Sequence, residues 1–224
     1  MAGGHVQEVS ASEANGYQTL TINEDGVDKQ VYITGCQSSS NGRGVTCPHN
    51  SGGKISNTPN LDPEGWYRPN VLNGSVSYDI DLSRQQCGCI GTFYQVRMPG
   101  KDWNGNYVRG GQNDYYCDAN KVGGTFCPEF DIMEANRFSF QTTAHKCDAP
   151  SSKGYYSNCD GGGGDLKNFG WNDGYGPGAS NIDTSKKFNV KIDYTGPAPT
   201  LHGYTITMTQ DDKSIQFKGY NGYS

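Results

Sequence analysis

The chain has 224 residues, among them 32 glycines, 15 tyrosines and 8 cysteines, with 33% apolar residues and a net charge of −5. That length suits one domain over residues 1–224 with a substantial core, and glycine and tyrosine in place of aliphatic bulk suit an all-β protein with a wide polar surface. The acidic balance excludes the concentrated basic face that nucleic acid or an anionic membrane requires, and no apolar run approaches the roughly 20 residues of a membrane span; a neutral polysaccharide or oligosaccharide fits better.

In chain order, Met1 to Gln7 carry neither the basic region nor the apolar stretch of a secretory signal. Residues 17–24 and 29–34 read as two strands around a turn at Glu24 to Val27. From Gln37 to Pro63 the chain is rich in Ser, Asn, Gly and Pro and reads as a long surface loop. Residues 75–82 alternate cleanly, with Val76, Tyr78, Ile80 and Leu82 on one face of a half-buried strand. Another strand follows over 92–98. A second long loop, 99–126, carries Trp103, Tyr107, Tyr115 and Tyr116, which either stack on sugar rings or pack the loop.

Residues 129–134 place Glu129, Asp131 and Glu134 beside apolar Phe130, Ile132 and Met133. A regular strand puts Glu129 and Asp131 on one face and Glu134 on the other. One extra residue near Ile132 or Met133, a β-bulge, brings all three carboxyls to one surface, and bulges are common beside active sites. A polar strand edge or a calcium site is the rival reading. Beyond the acid strand, Gly161 to Gly164 read as a flexible turn. Residues 188–195 and 204–209 alternate strongly, and a turn at 210–212 leads into 214–217. With no long helical periodicity, the pattern predicts two packed antiparallel sheets, a β-sandwich of the jelly-roll, concanavalin A-like kind.

Eight cysteines imply a disulfide framework and an oxidising, extracellular compartment, so secretion is expected with Met1 added to a mature chain; accumulation inside the cell with partly free cysteines is the alternative. Short loops favour Cys36 with Cys47, Cys117 with Cys127 and Cys147 with Cys159. Cys87 and Cys89 are left over, spaced wrongly for a zinc knuckle. No metal or other cofactor is expected.

The run Glu129-Phe-Asp-Ile-Met-Glu134-Ala-Asn136, followed by Thr143-Ala-His145-Lys-Cys147, resembles the catalytic strand of glycoside hydrolase family 7, the fungal cellobiohydrolases and endoglucanases. In the same order, Asn73 to Ser83 with Cys87-Gly88, Tyr94 to Met98, and Tyr175 to Gly178 with Asp183 to Phe188 resemble further family segments. The resemblance implies a retaining glycosidase acting on β-linked glucan, with Glu129 as nucleophile, Asp131 as its helper and Glu134 as general acid/base. It also implies substrate contacts from His145 and Tyr94; Asn136, Trp103 and Trp171 complete the candidate set. Met133 stands where the family has tryptophan and Ile90 where it has asparagine, and much of the tunnel-roofing loop sequence is missing. An open, endo-acting groove, or a site that no longer turns over, follows from that. The alternative is a lectin on the same scaffold. The family's C-terminal strands are missing past Ser224, which predicts an exposed sheet edge completed by a second chain or a homodimer, or by the N-terminal hairpin.

Overall fold

The computed structural model describes residues 16–111, 113–196 and 201–219, leaving aside the side chains of Asp165 and Leu166. The expectations placed on residues 1–7 and 220–224 lie outside the described residues. The chain divides at Pro69 and Asn70 into two compact units.

In the first unit, β1 (Tyr17–Glu24) and β2 (Val27–Thr34) pair in unbroken antiparallel register. Their connection is Asp25-Gly26 with φ of 52° and 83°, the two left-handed positions that a tight hairpin turn requires and that glycine adopts without strain. The expected loop over 37–63 is not structureless: it contains β3 (Gln37–Ser38), β4 (Val45–Thr46) and β5 (Lys54–Ser56). Strand β5 adds to β2, so the hairpin belongs to a three-stranded sheet β1-β2-β5 rather than standing in for a strand of the sandwich. Leu20, Val31, Ile33 and Cys36 form this unit's own small core, and Cys36 is bonded to Cys47 as its spacing predicts.

The second unit is the sandwich. One four-stranded antiparallel sheet contains β6 (Ser75–Ile80), β13 (Phe188–Thr195), β14 (Gly203–Gln210) and β15 (Lys213–Gly219), in the order β15-β14-β13-β6. The other contains β7 (Gly91–Val96), β8 (Glu129–Ala135), β9 (Phe140–His145) and β10 (Gly164–Phe169), in the order β10-β9-β8-β7. The glycine run expected to be a free turn thus leads directly into a strand. Two-residue strands β11 (Tyr175–Gly176) and β12 (Ile182–Asp183) pair in parallel between β10 and β13 in the chain.

Both sheets face one core, built where the sequence alternates. Strand β13 buries Phe188, Val190, Ile192 and Tyr194, and β14 buries Tyr204, Ile206 and Met208. From the other sheet come Phe130, Ile132, Met133, Ala135, Phe140 and Ala144. Aromatic rings cross between the sheets, Phe130 against Tyr204 at 4.7 Å, Tyr78 against Phe93 at 4.2 Å and Phe169 against Phe217 at 4.5 Å. Each fully buried aliphatic side chain stabilises the fold by about 1.5–3 kcal/mol relative to exposure. Tyr175 is completely buried, and its hydroxyl donates to the Asn136 carbonyl at 2.9 Å, satisfying the one polar atom it carries inward. Two further disulfides, Cys117–Cys127 and Cys147–Cys159, form as spaced; Cys87 and Cys89 are free.

Candidate active site

Strand β8 leaves regular register in the middle. Against β7, Phe93 pairs with Met133 while its neighbour Tyr94 pairs with Asp131, so Ile132 is the extra residue. Against β9 the register shifts between Asp131 and Glu134. This bulge lies where the alternation of apolar and acidic residues demanded one. Ile132 and Met133 both turn into the core, and Glu134 comes round to the face of Glu129 and Asp131. The three carboxyls line one open cleft of about 400 Å³ together with Thr92 and Tyr94 of β7 and Gln141, Thr143 and His145 of β9.

Asp131 is buried in the centre of the group. His145 Nε2 lies 2.9 Å from Asp131 Oδ2, and His145 Nδ1 lies 2.8 Å from the Asp160 carbonyl. A backbone carbonyl only accepts, so Nδ1 carries a proton, and Nε2 faces a carboxylate. The hydrogen bond to Asp131 raises the imidazole to about 9, against the opposing effect of burial. Glu129 accepts the Ala119 N–H at 3.1 Å on Oε2. Burial, and after it the charge of Asp131, push the Glu129 carboxyl up to about 7; the Ala119 N–H and the nearby imidazolium pull the other way. Glu134 is raised for the same two leading reasons and is held by the Gln141 amide, whose Nε2 donates to Oε2 at 3.2 Å. The cleft therefore holds two glutamates that retain protons above the ordinary carboxylate range, beside an aspartate paired with a cationic histidine.

Ligand atoms of Glu129, Asp131 and His145 lie within 4.8 Å of one another, close enough to hold a cation. The His145 and Asp131 atoms already bond each other, however, so a cation would have to displace that bond.

Of the residues singled out in the sequence, the fold brings Glu129, Asp131, Glu134, His145 and Tyr94 to the cleft. It does not bring Asn136 there: the Oδ1 of Asn136 accepts the N–H groups of Phe138 and Ser139 and its Nδ2 donates to the Cys89 carbonyl, tying the β8–β9 turn. Trp103 and Trp171 are 71% and 64% exposed and do not line the cleft. In the 99–126 loop, packing accounts for Tyr107 and Tyr115, whose rings meet edge-on at 6.1 Å. Sequence reasoning missed Thr92, Gln141 and Thr143, although Gln141, Thr143 and His145 repeat at the two-residue period of one strand face. Asn120, Gly161 and Gly162 also line the cleft, and they come from loops that carry no periodic signal.

The glycosyl hydrolase family 7 model matches residues 101–221. The chain is 30% identical to endoglucanase EG-1 of Trichoderma longibrachiatum, an alignment covering 86% of this chain and 46% of the relative, and 30% identical to endoglucanase EG-1 of Hypocrea jecorina, covering 73% and 38%. It thus spans about half the length of these relatives or less. Among solved structures, an endoglucanase I complexed with cellobiose aligns with a TM-score of 0.57 at 18% identity over 89% of this chain and 71% of its own. A family 7 cellobiohydrolase from Daphnia pulex aligns with 0.51 at 18% identity over 92% and 56%; both likenesses concern the fold. With a family model spanning more than half of its length, the chain belongs to glycosyl hydrolase family 7.

Proposed function

We propose that this protein is a retaining, endo-acting glycosidase that cleaves β-linked glucan in the open cleft of β8. One observation carries the reading: the bulge at Ile132 brings three carboxyls to a single solvent-open surface. Crowding three like charges is unfavourable, and a protein that only bound sugar would gain nothing from it. In the proposed double displacement Glu129 attacks the anomeric carbon while Glu134 protonates the departing oxygen. Water activated by Glu134 then releases the sugar. Asp131 holds the His145 imidazolium beside the nucleophile, and Tyr94, Thr92, Gln141 and Thr143 offer the polar and aromatic contacts that seat a pyranose.

Glu129 reacts only when ionised and Glu134 only when protonated. With Glu129 raised to about 7, activity requires a pH at which the cluster has lost its first proton and kept its second. The names of the family relatives support the substrate class, and the three disulfides support a secreted protein. Pairing of a free sheet edge with a second chain belongs to the same proposal, and light scattering tests it. The activity itself is tested by release of reducing ends from mixed-linkage glucan, laminarin, xylan and soluble cellulose. Turnover of one β-glucan is expected; binding without hydrolysis on all four would assign the protein to the lectins.

A further inference from the structure

Of the three Cys-Asp dipeptides in the chain, two begin tight turns beside the cleft, Cys117-Asp118 before the acid strand and Cys159-Asp160 after it. Asp118 is 5% exposed, and its Oδ1 accepts the N–H groups of Asn120 at 3.0 Å and Val122 at 2.9 Å. Its carbonyl accepts the Cys127 N–H, closing the turn across the Cys117–Cys127 disulfide. The buried amide left between, that of Ala119, points at Glu129. Asp160 repeats the device. Its Oδ1 accepts the N–H groups of Gly162 and Gly163, both at 3.1 Å, and its carbonyl accepts the His145 Nδ1–H.

The two turns also touch. A Cβ on Gly161 would stand 2.6 Å from Asn120 Oδ1, and one on Gly163, at φ +71°, would stand 2.2 Å from Thr143 Cγ2 and 3.0 Å from His145 Cε1. Gly163 is therefore required by close approach and by its left-handed backbone, and Gly161 lies directly against the Asn120 side chain, whereas Gly162 has room for a side chain. None of these contacts is needed to build the sheets.

We propose that Asp118 and Asp160 are positioning residues of the cleft, each tying a turn that delivers one backbone hydrogen bond to the site: Ala119 N–H to Glu129, and the Asp160 carbonyl to His145. Roles for Glu129 and His145 in turnover rest on the function proposed above, but the placement is read without it. Around Glu129 stand Tyr94 of β7, Asp131 of its own strand, His145 of β9, and Tyr116 and Asp118 of the loop. Around His145 stand Asp131, Glu129 and Glu134, all of β8. Removing the Asp118 charge alone lowers the Glu129 titration; freeing the Ala119 amide raises it.

The test is an NMR titration of the Glu129 carboxyl and the His145 ring in Asp118→Asn, Asp118→Ala, Asp160→Asn and Asp160→Ala, in the whole chain. Asparagine keeps the acceptor oxygen, whereas alanine does not. Glu129 is expected to titrate about one pH unit higher in Asp118→Ala than in Asp118→Asn, the size of one hydrogen bond to a charged group. His145 is expected to keep its raised midpoint in Asp160→Asn and to fall by a similar amount in Asp160→Ala. Equal Glu129 midpoints in the two Asp118 variants, or an unmoved His145 in Asp160→Ala, would overturn the proposal. Should an alanine variant not fold, the unaltered protein decides: the Ala119 amide proton must shift with the Glu129 midpoint, and its indifference would be the contrary result. Absence of hydrolysis on every glucan would sink the functional reading and leave these titrations standing.

Discussion

The two sheets of the sandwich follow opposite designs. The β15-β14-β13-β6 sheet keeps unbroken register, Asn189 to Thr209 through Thr195 to Gly203 and Tyr204 to Gly219 through Gln210 to Lys213, and it contributes Val190, Ile192, Ile206 and Met208 at full burial. The β10-β9-β8-β7 sheet shifts register in all three of its pairings. It buries apolar side chains on one face and presents carboxyls, amides and a histidine on the other. A regular sheet maximises burial; an irregular one re-aims side chains, at the cost of local pairing. Both sheets supply the one core, but the cleft is confined to the irregular sheet.

The largest expected effect breaks the chemical sheet alone. Glu129→Gln retains shape and loses nucleophilicity, so turnover should fall on the order of 10³-fold or more with sugar binding kept and with melting temperature kept below about pH 5, read by steady-state kinetics beside thermal unfolding. Glu134→Gln should lose comparably on glucan and much less on an aryl glycoside whose leaving group needs no proton. Next comes the regular sheet. Ile206→Ala should cost about 2–5 kcal/mol of stability in denaturant unfolding, while the folded fraction keeps its kinetic constants. If Ile206→Ala instead changed kcat at full folding, the division between the sheets would be wrong.

A smaller effect concerns pH between about 5 and 9, where Glu129 and His145 of the irregular sheet titrate. Glu129 rises from 4.5 to about 7 on folding and His145 from 6.5 to about 9. A raised folded value means that the native state binds the extra proton, so each contribution is complete below the unfolded value and is lost as pH climbs through the folded one. Melting temperature should therefore decline between about pH 5 and 9, and Glu129→Gln should flatten the lower part of that decline. The smallest is Tyr175→Phe, which leaves the Asn136 carbonyl without its donor and should cost about 1 kcal/mol.

The regular sheet was almost wholly legible in the sequence, because alternation over 188–195 and 204–209 is a direct image of which side chains face the core. The bulge was legible too, since three acids and three hydrophobes in six residues cannot be sorted between water and core at strict period two. Short spacings gave the three disulfides. What stayed hidden depends on contacts between distant segments. Strand β5 forms inside a stretch without periodicity because β2 offers it an edge. Asn136 resembled a site residue by position, yet a turn needed its side chain for capping. Asn120 and Gly161 meet only after two disulfide-linked loops have folded onto the neighbouring strands β8 and β9.

On the proposed function, the bulged strand presents Glu129 as a nucleophile. The most direct test of that role is to incubate the protein with a 2-deoxy-2-fluoro β-glycosyl donor carrying a good leaving group, then map any covalent sugar by peptide mass spectrometry. One glycosyl ester is expected, on Glu129, formed as activity disappears. An adduct on Asp131 or Glu134, or a protein that hydrolyses glucan without ever forming an adduct, would contradict it.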